Sequence, residues 1–285
     1  MDLSILIATV PPRRKYLNRL LANLQNQIVK NNLQDKIEVI IYEDDFENVI
    51  GYKKNKLYES AKGKYVVSID DDDDVSEDYC ASIIEVIENN DVDQISFTHA
   101  YYHNNRENWI PITISKENRY YHANFFNIVD FFITRYHKER GTDYELHIEG
   151  VPILKTKENN FFKMVLLYLF FKVSHKKLVR CTRYSCHTVV LRKEIAQSVK
   201  FTDRLKEEDI EWATEIYKQG LIKTEYIIDK VLYHYFYDHD MSIDRGKQGR
   251  LTIEEKREVL TNNLNTIKDI DWIIQPIDKI NIRWI

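Results

Sequence analysis

The chain has 285 residues, 44% of them hydrophobic, and a formal net charge of −4. That length and apolar content suit one large domain with its own core and exclude general disorder. No overall basic charge advertises nucleic-acid binding. Three cysteines, Cys80, Cys181 and Cys186, are too few and too irregular for a disulfide framework or a zinc site, and read as reduced thiols.

The opening MDLSILIATVPPRRK has no basic segment ahead of its apolar run, unlike a secretory signal. The longest apolar stretch, FFKMVLLYLFFKV at 161–173, is short for a bilayer and is broken by Lys163 and Lys172. The expectation is a cytoplasmic, soluble protein without a transmembrane segment.

SILIATV at 4–10 reads as a buried strand that Pro11 and Pro12 end. Leu17, Leu20, Leu21, Leu24 and Ile28 then share one face of a helix. KIEVIIY at 36–42 is a second strand, 51–61 a helix stopped near Gly63, and KYVVSI at 64–69 a third strand. Ser76 stands where an N-cap belongs, with Glu77 and Asp78 in the expected first turn of a helix whose apolar face is Cys80, Ile83, Ile84 and Ile87. QISFTHAYY at 94–102 is a fourth strand. Strand–helix alternation of this kind predicts a mostly parallel α/β sheet, with ligands beyond the carboxyl ends of its strands. Further on, helices are expected at 125–140, from about Glu208 and from about Thr252, with a strand at 226–236.

Two acidic clusters fall at predicted strand ends: Glu43-Asp44-Asp45 and the five aspartates 70–74. Five adjacent carboxylates repel one another unless some protonate or a cation sits among them. Side chains two apart in an extended segment share a side, so Asp70 and Asp72 can converge on one hard ion such as Mg²⁺, Mn²⁺ or Ca²⁺. An EF-hand is excluded, because the sixth position from Asp70 is Val75 and the twelfth is Ala81. Two other readings stand beside the metal site. One is a solvated acidic loop, and if the run does bind a metal, a metal-binding protein without catalysis also stays open. The other is the aspartyl-phosphate motif of haloacid-dehalogenase-type phosphotransferases, matched by Asp71-x-Asp73-x-Val75, although that motif follows the first strand and here two strand–helix units precede it.

The ordered set SILIATVPPRRKYL, IEVIIYEDD and GYKKNKLYESAKGKYVVSIDDDD resembles the nucleotide-binding half of GT-A glycosyltransferases of the family 2 type. The segment CHTVVLRKEIAQSVKFTDRLKEEDIEWATEIYKQG resembles their acceptor-side element, and YIIDKVLYHYFYDHDMS is similar to phage and bacterial members. The resemblance covers 3–79 and 186–243. It implies a GT-A, Rossmann-like α/β fold: a nucleotide-sugar half over 1–99, an inserted acceptor-binding region over 100–185, a catalytic half over 186–245 and a C-terminal helical extension over 246–285. It also implies an inverting, metal-dependent hexosyltransferase using a nucleotide-sugar, with UDP as the expected nucleotide.

The resemblance implies roles residue by residue. Thr9, Pro11 and Arg13 would border the nucleotide, and Glu43 and Asp44 would accept from the base, since a uracil N3–H needs an acceptor. Lys54, in the place of the usual arginine beside Asn55, would contact phosphate, and Asp70 and Asp71 would border the same nucleotide. Asp70, Asp72 and Asp73, with His234 and His239, are candidate ligands for Mn²⁺ or Mg²⁺. Such a cation lets carboxylates and a diphosphate share a site and neutralises the departing charge. Asp209, with Glu208 beside it, is the proposed general base for the acceptor hydroxyl, and His187 is expected to line the acceptor pocket. The segment 155–183 carries eight basic residues against Glu158 alone. That asymmetry suits an anionic surface and leaves a glycan, a lipid-linked carrier or a nucleic acid bearing hydroxylated bases open as acceptor.

Overall fold

A computed structural model describes residues 1–103, 109–116, 120–121, 144–148, 151–156, 178–180, 182–183, 186–203, 208–237 and 280–285. Its first half follows the expected alternation. Strand β1 (Leu3–Thr9) leads through a short 3-10 turn (Pro11–Arg13) into helix α1 (Arg14–Lys30). Then come β2 (Ile37–Glu43), α2 (Ile50–Ser60), β3 (Tyr65–Ser68), the short β4 (Asp74–Val75), α3 (Tyr79–Asn89) and β5 (Gln94–His103).

β1 pairs in parallel with β2 from Leu3↔Ile37 to Thr9↔Glu43, and with β3 from Leu3↔Tyr65 to Leu6↔Ser68. This register brings the carboxyl ends of three strands to one edge. The side chains of β1 alternate between two apolar layers, as a strand covered on both faces requires. Leu3, Ile5 and Ile7 pack with Leu17, Leu20, Leu24 and Ile28 of α1 and with Ile83 and Ile84 of α3. Leu6 packs on the other face with Leu57, Tyr58, Val66 and Trp212. Gly63 is required by proximity: a Cβ there would lie 2.6 Å from the backbone nitrogen of Ser4.

Beyond β3 the sheet departs from the parallel expectation. The three-residue β12 (Val190–Arg192) inserts between β3 and β5 and runs antiparallel to both. β5 continues past the expected boundary at residue 99. It pairs antiparallel with β6 (Trp109–Ile114) and in parallel with the long β13 (Glu225–Tyr237). The β7 (Tyr120–Tyr121) and β11 (Thr182–Arg183) strands pair with β6, so part of the expected inserted region extends the main sheet. The β8 (Tyr144–Ile148), β9 (Val151–Thr156) and β10 (Leu178–Arg180) strands form a separate three-stranded sheet. Helices α4 (Lys193–Ser198) and α5 (Glu208–Lys218) follow β12. The last described segment, β14 (Asn281–Trp284), is a strand within the span expected to be a helical extension, and it pairs in parallel with β2.

Ser76 does not cap α3. The helix begins at Tyr79 with Asp78 at the cap position, and no acid lies in its first turn. The Ser76 hydroxyl instead donates to the Val231 carbonyl at 2.7 Å; docking of β13 has taken the group that local capping would use. The expected helices at 125–140 and from Thr252, the apolar stretch 161–173, the candidate ligand His239, and most of the basic segment 155–183 lie outside the described residues. Among the described residues, no helix is long and apolar enough to cross a membrane.

Candidate active site

The site forms where β1, β2 and β3 end. After β3 the chain makes a tight turn, closed by Asp73 N–H donating to the Asp70 carbonyl at 3.1 Å. The aspartates are therefore in a turn and not extended, yet they still divide by side. Asp71 and Asp73 point inward, each 1% exposed, while the side chains of Asp70 and Asp72 keep 35% and 23% exposure.

The inward pair is bound within the protein. Asp71 accepts from the Thr9 hydroxyl at 2.6 Å and from Arg13 Nη1 at 2.7 Å. Burial and the neighbouring Asp72 and Asp70 push its carboxyl up to about 7, against the pull of Arg13 and Thr9. Asp73 accepts from the Tyr233 hydroxyl at 2.6 Å and from Phe236 N–H at 2.8 Å. Its partners are uncharged, so burial and the adjacent carboxylates of Asp72 and Asp70 raise it well above the ordinary range. Both oxygens of each inward carboxylate thus already accept hydrogen bonds within the protein.

Three side chains of α1 hold the backbone of the same loop. Arg19 Nη2 donates to the carbonyls of Asp72 and Asp73 at 2.9 and 3.0 Å. Asn23 donates to the Val75 carbonyl and to Asp74 Oδ1, both at 2.8 Å. Gln27 donates to the Ser76 carbonyl at 2.8 Å and accepts from Cys80 N–H at 3.0 Å. Spaced four apart, these residues form one stripe along the helix. Sequence reading missed them, although polar residues repeating every four positions beside Leu20, Leu24 and Ile28 were the available signal.

At the end of β2 both acids are already paired. Glu43 is held by Arg14, whose Nε donates at 2.7 Å. Asp44 forms an ion pair with the buried Lys53 and accepts from Asn48 N–H and Nδ2 at 2.9 Å each. Lys53 also donates to the Thr9 carbonyl at 3.1 Å, tying α2 to the ends of both β1 and β2; its neighbour Lys54 drew attention in the sequence instead. In the loop that follows, Phe46 has φ 63°, a left-handed conformation costly for a non-glycine residue. Pro11 is exposed on the 3-10 turn after β1.

The second half of the site arrives through α2. Gly51 lets α2 approach the chain at Thr202, whose carbonyl oxygen would lie 1.9 Å from a Cβ. Asn55 clamps Phe201 with both ends of its amide, Nδ2 to O at 2.8 Å and Oδ1 from N–H at 2.9 Å. Asn55 thus spends both ends of its amide on the backbone of Phe201. The Trp212 indole donates to Ala196 and Val199 carbonyls, seating α5 on α4. At the start of α5, Glu208 receives Lys54 Nζ at 2.8 Å, both side chains buried. Burial alone would lower the Lys54 ammonium, but Glu208, Asp70 and Asp209 push it up to about 12.

His187 joins the halves. Its Nε2 lies 3.3 Å from Asp70 Oδ2 and its Nδ1 lies 3.4 Å from Asp209 Oδ2. Burial and Lys54 oppose an imidazolium, yet the carboxylates on both sides push the ring up to about 10. Burial likewise disfavours the Asp70 carboxylate, but His187 and Lys54 hold it well below the usual range. His234 stands apart from this arrangement. Its Nε2 lies 3.0 Å from Ser76 Oγ and its Nδ1 lies 3.1 Å from the Tyr102 hydroxyl. Both nitrogens are engaged and burial lowers its pKa, so His234 braces β13 against β5 in this arrangement.

The donor chemistry left for a divalent ion is narrower than the sequence implied. Among the described residues, no three His, Cys, Asp or Glu side chains gather as a metal-binding group. Asp70 Oδ1 and Asp72 Oδ1 remain without a partner among those residues, each carboxylate using its other oxygen for His187 or Arg13. Two hard oxygens at a cleft mouth fit an ion of the Mg²⁺ type, which takes one or two carboxylates and completes its shell with water and phosphate.

No family model and no curated protein matches the chain. Among solved structures it is similar to S. aureus TarS 1-349, with a TM-score of 0.49 and 14% identity over 93% of this chain and 71% of that one. The same TarS fragment in complex with UDP gives 0.49 and 13% over 93% and 71%; in complex with UDP-GlcNAc it gives 0.49 and 12% over 93% and 72%.

Proposed function

We propose that this chain transfers a glycosyl group from a nucleoside-diphosphate sugar, with UDP as its nucleotide, to an acceptor hydroxyl with inversion at the anomeric carbon. The observation that carries this reading is the meeting of Asp70, His187, Lys54, Glu208 and Asp209, from separate segments, at the carboxyl ends of β1 and β3. Such an edge is where α/β sheets bind ligands. The half-exposed Asp209 is the base: it takes the acceptor proton as that oxygen forms the new bond to the anomeric carbon. The bond to the diphosphate breaks in the same displacement, and its electron pair leaves on the phosphate oxygen. A divalent ion held by Asp70 and Asp72 would supply neutralisation of the diphosphate charge. Arg13, whose Nη2 pairs with Asp72, would contact the same phosphates on exchanging that partner.

The phosphotransferase alternative requires an exposed nucleophilic aspartate. Asp71 and Asp73 are both buried and hydrogen-bonded on each oxygen, which disfavours phosphorylation of either.

The test is a melting series with nucleoside diphosphates, with and without Mn²⁺, followed by an assay for nucleoside diphosphate release from nucleotide-sugars. A ligand at a hundred times its Kd stabilises the fold by about 2.7 kcal/mol, so UDP with Mn²⁺ should raise Tm clearly and UDP alone much less. Equal shifts remove the ion from the reading. No shift and no turnover with any nucleotide or nucleotide-sugar removes the donor site.

A further inference from the structure

We infer that His187 is a positioning residue for Asp209, aiming the base carboxylate by holding it to the aspartate turn. This rests on the function proposed above. One imidazole spans the seam between the two halves of the site, 3.3 Å from Asp70 Oδ2 on one side and 3.4 Å from Asp209 Oδ2 on the other. The ring is 7% exposed, so its orientation is set by the protein. Its backbone is anchored to β3, where Ser68 N–H donates to the His187 carbonyl at 3.0 Å. The next residue, Thr188, is fixed by His99 Nε2 at 2.9 Å. Asp209, in contrast, stands on the first turn of α5, a helix seated on the opposite face of the sheet from α1. A base must lie within hydrogen-bond reach of its proton, and a misplacement of about 1 Å costs about 10²-fold in rate. The Nδ1 contact is longer than an ordinary N–H···O bond, and Nδ1 makes no hydrogen bond among the described residues.

The test is a cycle of His187→Gln, Asp209→Asn and the double variant. Each is measured for kcat, KM and UDP affinity in the presence of Mn²⁺. His187→Gln is expected to keep UDP affinity within about 2-fold and to lower kcat about 10²-fold. In the Asp209→Asn background the same change should cost less than about 3-fold, because residues acting through one another are not additive. Equal losses of kcat and UDP affinity, or a full penalty persisting without Asp209, would overturn the inference. The second arm needs no activity and no folded His187 variant: side-chain ¹⁵N spectra of otherwise wild-type protein. Asp209→Asn should move the His187 Nδ1 resonance and Asp70→Asn the Nε2 resonance; an Nδ1 resonance unmoved by Asp209→Asn overturns the bridge. A wild-type protein inert toward every nucleotide-sugar defeats the proposed reaction alone, and the spectra then decide the bridge.

Discussion

Replacing Lys54 by methionine tests how the two halves of the site are joined. Methionine keeps most of the side-chain volume, so the loss is electrostatic and not a cavity. The pair it breaks is buried, with Lys54 and Glu208 side chains 3% and 7% exposed and 2.8 Å apart. An exposed pair would be worth about 0–1 kcal/mol. Removing one partner of a buried pair costs about 3–5 kcal/mol, because the remaining charge is left uncompensated. With a urea m-value of about 3 kcal/mol per M, the unfolding midpoint should fall by roughly 1–1.7 M. The cost belongs to the stranded carboxylate, so adding Glu208→Gln should recover most of it. The assay is urea unfolding followed by far-UV dichroism and tryptophan fluorescence, with coincident transitions required. A midpoint for Lys54→Met within about 0.2 M of wild type, outside the expectation for a buried pair, would refute the reasoning. So would a double variant no more stable than the single one.

Asp209→Asn keeps the shape of the proposed base but takes no proton. It should retain UDP binding in the melting series and lose turnover by about 10²-fold or more; near-normal turnover would place the base elsewhere. Gly51→Ala puts a methyl group 1.9 Å from the Thr202 carbonyl oxygen and should cost about 1–3 kcal/mol as overpacking, read as a lower urea midpoint. The buried Asp73 has a raised folded-state pKa, so the native state binds a proton that the unfolded chain has released. Its contribution is present below the unfolded value near 3.9 and is lost as pH rises above it, at up to about 1.4 kcal/mol per unit. Asp73→Asn should therefore gain on wild type as pH rises from 5 to 8 with chelator present; a constant difference in midpoint across that range would contradict the raised pKa.

The strands β1, β2 and β3 were legible because each is a continuous apolar run between turn residues, and the acid run was legible as charge at a strand end. The division of labour within that run was not. Which carboxylate points inward depends on Arg13, Tyr233 and the Phe236 backbone, and Tyr233 is 160 residues from its partner Asp73. Lys54 and Glu208 are 154 apart, so the pattern could place each on its helix but not pair them. Ser76 obeyed the local signature of a cap and was captured by β13. β12 is three residues long, too short for any periodicity, yet it turns a parallel sheet into a mixed one. His187 was read as part of an acceptor pocket; nothing along the chain showed that it also faces Asp70.

The stripe of Arg19, Asn23 and Gln27 grips the acidic loop mostly by its main-chain carbonyls, at residues 72, 73, 75 and 76. Main-chain carbonyls are common to every amino acid, so the path of the loop is largely independent of the side chains mounted on it. Asp72, whose own carboxylate takes no part in that grip, can therefore be exchanged for a different ligand type without reshaping the mouth of the cleft. The same independence makes α1 intolerant of length change. Deleting one residue between Arg19 and Gln27 turns the stripe by about 100°, and the loop would lose its hold while every aspartate remained in place.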